Sequence, residues 1–216
     1  QHLTMVFLEV VCIYFIAISD DPQHGRRNLL IGLTALLLAG YAKQLAVFTA
    51  AAVFGYLFLR DPLRSIRWVA VFGIAFGAIF LAINVATDGY WWVNTISANV
   101  NDYLVPQLIG LTRSWFRVHA LFIVLALGMT AHEVYVERVS IYSLWFLTAL
   151  GTGLMSGKWG AGEAYWVTSV AAAIILSGFA LGKVRDWIAT SRPRRPRWAS
   201  AFAVLVPLLF LVQASR

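Results

Sequence analysis

The chain has 216 residues, of which 60% are hydrophobic, 14% aromatic and only 12% charged. A soluble domain is typically about a quarter charged, so this composition excludes an ordinary soluble enzyme and defines an all-α polytopic membrane protein with interfacial aromatics. The formal charge of +7 would suggest nucleic acid in a soluble chain; here it reports topology, because basic residues collect in cytoplasmic loops.

The chain starts at Gln1, with no basic n-region and no A-x-A cleavage site, so nothing in it looks like a signal peptide. The expectation is a processed start, or a membrane domain over 1–216 that lacks an N-terminal part. The first apolar run, about 3–19, holds Glu9 and Cys12. A single cysteine rules out an intrachain disulfide or a Cys-based metal cluster, and Cys12 reads as a small core residue. Glu9 is an intramembrane carboxylate and hence a functional candidate, or a partner within the bundle.

The next apolar stretch, Leu29 to Leu59, is interrupted by Lys43. As one helix it would be about 46 Å long, against a hydrocarbon core of about 30 Å. Splitting it at Gly40–Gln44 gives two short helices in a hairpin with Lys43 at the turn. Non-helical backbone at depth is allowed where it is buried in protein or lines a cavity, so the hairpin predicts a cavity near Lys43. Further apolar runs at about 68–86, 118–134, 142–156, 165–183 and 199–213 bring the expected crossings to eight. One side then carries twelve basic residues (Arg26, Arg27, Arg60, Arg64, Arg67, Arg138, Lys183, Arg185, Arg192, Arg194, Arg195, Arg197). The other side carries five: Lys43, Arg113, Arg117, Lys158 and Arg216. The richer side is assigned to the cytoplasm. Segment 184–198 is expected to be a basic cytoplasmic loop suited to anionic head groups, and nothing in it supports nucleic-acid binding. Segment 87–117 is expected on the outer side as an interfacial loop, with Leu104 to Phe116 as a helix in the head-group plane.

Four features converge on the outer face: Lys43; "GYWWVNTISANVNDY", Gly89 to Tyr103; "RSWFR", with Arg113 and Arg117; and "SGKWGAGEAYW", Ser156 to Trp166. The last has three glycines around Lys158, with Glu163 close by. A lysine beside exposed backbone N–H groups suits a phosphate. Trp91 and Trp92 suit the apolar face of a sugar and the lipid boundary alike. Plainer readings stand beside these: snorkelling for Lys43 and Lys158, membrane anchoring for the Trp pair, and turn-building for Asn94, Asn99 and Asn101. His119 and His132 are too far apart on one span for a shared metal, and Glu133 and Glu137 read as solvated. No P-loop, H-E-x-x-H or G-x-S-x-G occurs, and no paired broken helices suggest a transporter.

"GLTALLLAGYAKQLAVFTAAAVFGYLFLRDPLR", Gly32 to Arg64, resembles the short helix pair with a T-K-Q-type turn of GT-C fold membrane glycosyltransferases, relatives of the protein-mannosyl and aminoarabinose transferases. "INVATDGYWWVNTISANVNDY" and "SGKWGAGEAYW" are similar to two later motifs of that family, in the same order. The resemblance implies a multi-pass transferase of the bacterial inner membrane. It would move a sugar from a polyprenyl-phosphate carrier to an acceptor at the outer face, with a divalent metal needed in some members. The family's catalytic carboxylate lies in a loop that has no counterpart here, so no catalytic residue is assigned. Ala164 stands where the family has Asn, and Thr168 where it has an acidic residue. The substrate or lipid-phosphate candidates are Lys43, Lys158, Arg113, Trp91, Trp92 and Glu163, with no metal ligand among them. The alternative is a non-catalytic subunit of a larger membrane protein complex, for which Gly73 and Gly77, four residues apart, suit close helix contact.

Overall fold

The structure, a computed structural model, describes residues 1–190. These residues form eight α-helices and no sheet: α1 (His2–Ala17), α2 (Gly25–Ala42), α3 (Val47–Arg60), α4 (Pro62–Ala86), α5 (Tyr90–Thr95), α6 (Val105–Val136), α7 (Ile141–Leu154) and α8 (Val167–Thr190). Three stretches, Pro62–Ala86, Val105–Val136 and Glu163–Trp187, are long and apolar enough to cross a membrane. The expected run at 199–213 and the arginines from Arg192 onward lie outside the described residues. Residues 184–190, expected in a loop, instead continue α8.

Helix α1 buries Met5, Val6, Glu9, Cys12, Ile13 and Ile16, and α2 buries Leu29, Gly32, Leu33, Leu36 and Ala39 among others. Steps of three and four place each set on one face, and the two faces pack against each other. A Cβ at Gly32 would lie 3.0 Å from the Ile16 side chain and 3.2 Å from the Cys12 carbonyl, so the absence of a side chain lets α1 approach. The connection is fixed by Asn28, whose side chain donates to the Ile18 carbonyl at 3.1 Å.

Helix α2 stops where the sequence expects. Lys43 has extended backbone (φ −162°, ψ 136°), and a 3₁₀ turn, Gln44–Ala46, leads into α3. The chain doubles back there. Arg60, at the end of α3, pairs with Asp20 in the loop before α2, while Lys43 meets His2 at the other end of the bundle. The two helices of this hairpin touch little; α3 packs chiefly against α7.

Helix α4 opens on Asp61, whose side chain accepts from the Arg64 amide at 3.0 Å, with Pro62 in the first turn; both suit a helix start. Beyond Ser65 it buries nothing. It is attached by rings, Phe72 on Phe54 (centroids 5.3 Å apart) and Phe76 on Tyr41 (4.8 Å). Gly73 and Gly77 face open space, so the close helix contact expected of them is not made among the described residues.

The interfacial segment expected at 87–117 holds the helix expected over Leu104 to Phe116, but not as a separate element. From Val105 it is already the start of α6, a 32-residue helix kinked at His119 (φ −114°, ψ 15°). The kink separates the turns beside segment 155–166 from those that run down the bundle next to α8. Glu133 is also not solvated as expected. It is buried and accepts from the Ser140 amide (2.7 Å) and hydroxyl (3.0 Å), tying the end of α6 to the cap of α7. Glu137 is exposed, and its bond from Lys183 holds its carboxyl below the usual range.

The core lies between α1, α2, α3, α6, α7 and α8, around the fully buried Trp145 and Phe146. Glu9, 0% exposed, sits inside it. Its Oε1 accepts from the Thr49 hydroxyl at 2.7 Å and its Oε2 from the Thr168 hydroxyl at 2.8 Å. Thr49 in turn accepts from the Trp145 indole N–H at 3.0 Å. One carboxylate thus joins α1, α3, α7 and α8, as a buried polar group must be satisfied.

Candidate functional site

Three of the four features expected to converge do so, at the end of the bundle that carries Lys43. Lys43 follows from the cost of a charge in hydrocarbon: the helix breaks there, and the ammonium finds polar company. Its Nζ contacts His2 Nε2 and lies 4.7 Å from the centre of the Tyr165 ring, a cation–π arrangement. Burial lowers its pKa, a direction that an anion brought alongside would reverse. Gln44 donates to the Thr95 carbonyl, which ties the hairpin tip to segment 90–99.

That segment is placed by its N-terminal turn. Asp88 (φ 49°) and Gly89 (φ 84°) adopt left-handed backbone, which glycine tolerates and other residues resist. The Thr87 hydroxyl accepts from the Trp91 amide at 3.1 Å and the Asn84 side chain from the Trp92 amide at 2.8 Å. The neighbouring indoles share Phe80 as an edge-on partner but differ in exposure. Trp91 lines a cavity, while Trp92 is 50% exposed, edge-on to Phe80. Asn99 donates to the Asn94 and Thr95 carbonyls, both at 3.0 Å, so it does build a turn.

Segment 155–166 is held by Gln107, whose amide reaches the carbonyls of Ser156 (2.7 Å), Lys158 (2.8 Å) and Ala161 (3.1 Å). Gly157 is required because the Tyr103 ring occupies the space of its Cβ, 2.6 Å away. The Tyr103 hydroxyl donates to the Leu154 carbonyl at 2.8 Å. So anchored, Lys158 donates from Nζ to the Asn99 carbonyl at 3.1 Å.

Between these parts is a cavity of about 760 Å3, lined by Lys43, Lys158, Trp91, Tyr41, Tyr165 and Phe76 among others. It has two lysine ammonium groups and an aromatic wall, and among the described residues no carboxylate lines it. Among the described residues no three His, Cys, Asp or Glu side chains gather as metal ligands. The donor set therefore suits an anion and does not fit the divalent metal that the resemblance implies for some members.

Arg113 and Glu163 lie elsewhere. Arg113 is exposed on α6 and lines neither opening. Glu163 borders a second cleft of about 350 Å3 with Ser114, Trp115, His119 and Trp166. The expected single constellation is thus two sites, divided by segment 155–166. His2, Tyr41 and Tyr165 belong to the Lys43 site and are absent from the sequence reading. Chain parity signals His2, since a start at the Lys43 end puts it beside the hairpin turn.

The class defined by fold and site is, among the described residues, an all-α helical bundle with three helices long and apolar enough to cross a membrane and a cationic, aromatic cavity at one end. Comparisons with protein families, curated proteins and solved structures find nothing that matches the chain.

Proposed function

We propose that this is a multi-pass protein of the bacterial inner membrane, a GT-C type glycosyltransferase or the membrane portion of one. Its large cavity would take the phosphate of a polyprenyl-linked sugar donor at the outer face. The observation that carries the reading is that Lys43 and Lys158, 115 positions apart in sequence, line one cavity with Trp91 and Tyr165. Among the described residues, eight basic side chains belong to the Arg60 end and four to the Lys43 end. By the positive-inside bias this asymmetry supports an outward-facing Lys43 end.

The chemistry follows from the charges. As the sugar leaves its carrier, negative charge builds on the phosphate. Two fixed ammonium groups stabilise that charge more strongly where water is excluded. Trp91 and Tyr41 offer apolar faces for the sugar or the first isoprene units. The base that activates the acceptor is not assigned to any residue here.

The test is affinity of the purified protein for a polyprenyl monophosphate against the matching polyprenol, in a detergent without a sugar head group. The proposal requires phosphate-dependent binding that weakens as salt is raised. Equal binding of the alcohol and its phosphate would refute it. The second reading, a structural subunit of a membrane complex, draws on the unburied apolar length of α4 with Gly73 and Gly77 open. It predicts fixed-stoichiometry co-purification with other chains.

A further inference from the structure

The second cleft, of about 350 Å3, is not used by the reading above, and its chemistry is different. Trp115 and Trp166 form its aromatic wall, stacked with ring centroids 4.3 Å apart and planes at 25°. Trp166 is 4% exposed, yet its indole N–H has no partner, and neither has that of Trp115. Both indole nitrogens are closed off from the surface, so the pair serves the cleft as a packed aromatic wall and not as a set of donors. The orientation of Trp166 is fixed by Gly153. A Cβ there would lie 2.3 Å from Cε3 and Cζ3 of the ring, so the benzo edge faces α7 and the pyrrole edge, with its N–H, faces away from it.

The polar groups across from the indoles complete the set. Among the described residues Glu163 is the only charged side chain on the lining, and the Ser114 hydroxyl donates to it at 3.4 Å. His119, at the kink of α6, adds an imidazole that can donate or accept. The wall is shared with the cation site. In the 3₁₀ turn Glu163–Trp166, Tyr165 lines the large cavity, while Glu163, Ala164 and Trp166 line the cleft.

We infer that the cleft binds a neutral carbohydrate ring. An aromatic face suits the C–H side of the ring, and the carboxylate and imidazole suit its hydroxyls. The volume is at the small end of ligand pockets, about 300–1,000 Å3, and no cation lines it to select a phosphate. The inference stands on this cleft alone and does not require that the large cavity bind a lipid phosphate.

The experiment is saturation-transfer NMR on the protein in lipid nanodiscs. The probes are the methyl α-D-pyranosides of glucose, mannose and galactose, with cyclohexanemethanol as a ring lacking the hydroxyl array. At least one glycoside is expected to receive saturation, and the alcohol is not. Glu163→Gln, at an exposed position, is expected to weaken glycoside binding roughly tenfold while leaving polyprenyl monophosphate binding unchanged. Trp115→Phe, which keeps an aromatic ring in the stack but shrinks its face, is expected to weaken it less. No saturation of any glycoside in the wild-type protein, equal saturation of the alcohol, or wild-type binding in Glu163→Gln would each overturn the assignment.

Discussion

Replacing Lys43 with alanine is expected to lower affinity for a polyprenyl monophosphate by about ten- to a hundredfold, the worth of a hydrogen bond to a charged group at roughly 1.5–3 kcal/mol. Lys158→Ala should act in the same direction and less strongly. Lys43 has a helix break built around it and is held by His2 and Tyr165. The Lys158 ammonium leans on one carbonyl, of Asn99, from the edge of the cavity. The double variant should lose less than the product of the two effects, because both cations face one anion. Arg113→Ala supplies the contrast. It lies outside the cavity and should bind like the wild type. Thermal unfolding of each variant separates loss of binding from loss of fold, and unchanged affinity in both lysine variants would remove the role assigned to them.

The second large effect is structural. Thr49→Val is nearly isosteric but removes a hydroxyl that serves two buried partners, donating to Glu9 and accepting from Trp145. A buried carboxylate oxygen and a buried indole N–H are orphaned together, each at about 1–3 kcal/mol. The loss should therefore exceed that of Thr168→Val, which strands only the other oxygen of Glu9. Glu9→Gln keeps the shape and one acceptor and should cost least of the three. Membrane helices often re-partner their polar groups, so measured hydrogen bonds there average about 0.6 kcal/mol. Re-partnering is difficult here because Glu9, Thr49, Trp145 and Thr168 are all within 1% of full burial. Unfolding of the reconstituted protein by a graded denaturant tests the ranking, and a Thr49→Val variant as stable as wild type would contradict the network.

How much of this was legible in the sequence depended on the kind of signal. The break at Lys43 was readable because one charge in a long apolar run conflicts with both hydrocarbon and helix length. The meeting of Lys43 with segments 89–103 and 156–166 was readable because parity put all three at one end. Parity could not give azimuth. Which way a side chain faces around the bundle is set by packing, so Arg113 and Glu163 were grouped with a cavity they do not line. Trp91 and Trp92 both meet Phe80, yet only Trp91 lines the cavity. Thr168 was read as a missing acid. In the fold it donates to Glu9, 159 positions away, a long-range partner that no local pattern reveals. The helix over Leu104 to Phe116 is legible from its amphipathic pattern, but its continuation through the kink at His119 into the span is not, because polar residues divide the two apolar stretches.

The orientation of the bundle, on which the proposed site depends, has one direct test. Cys12 is fully buried, so Lys43→Cys adds a single accessible thiol to the described part of the chain. Treated on intact cells with a membrane-impermeant maleimide, it is predicted to be labelled without permeabilisation. Labelling that appears only once the cytoplasm is opened would place the cavity on the wrong side of the membrane and contradict the proposal.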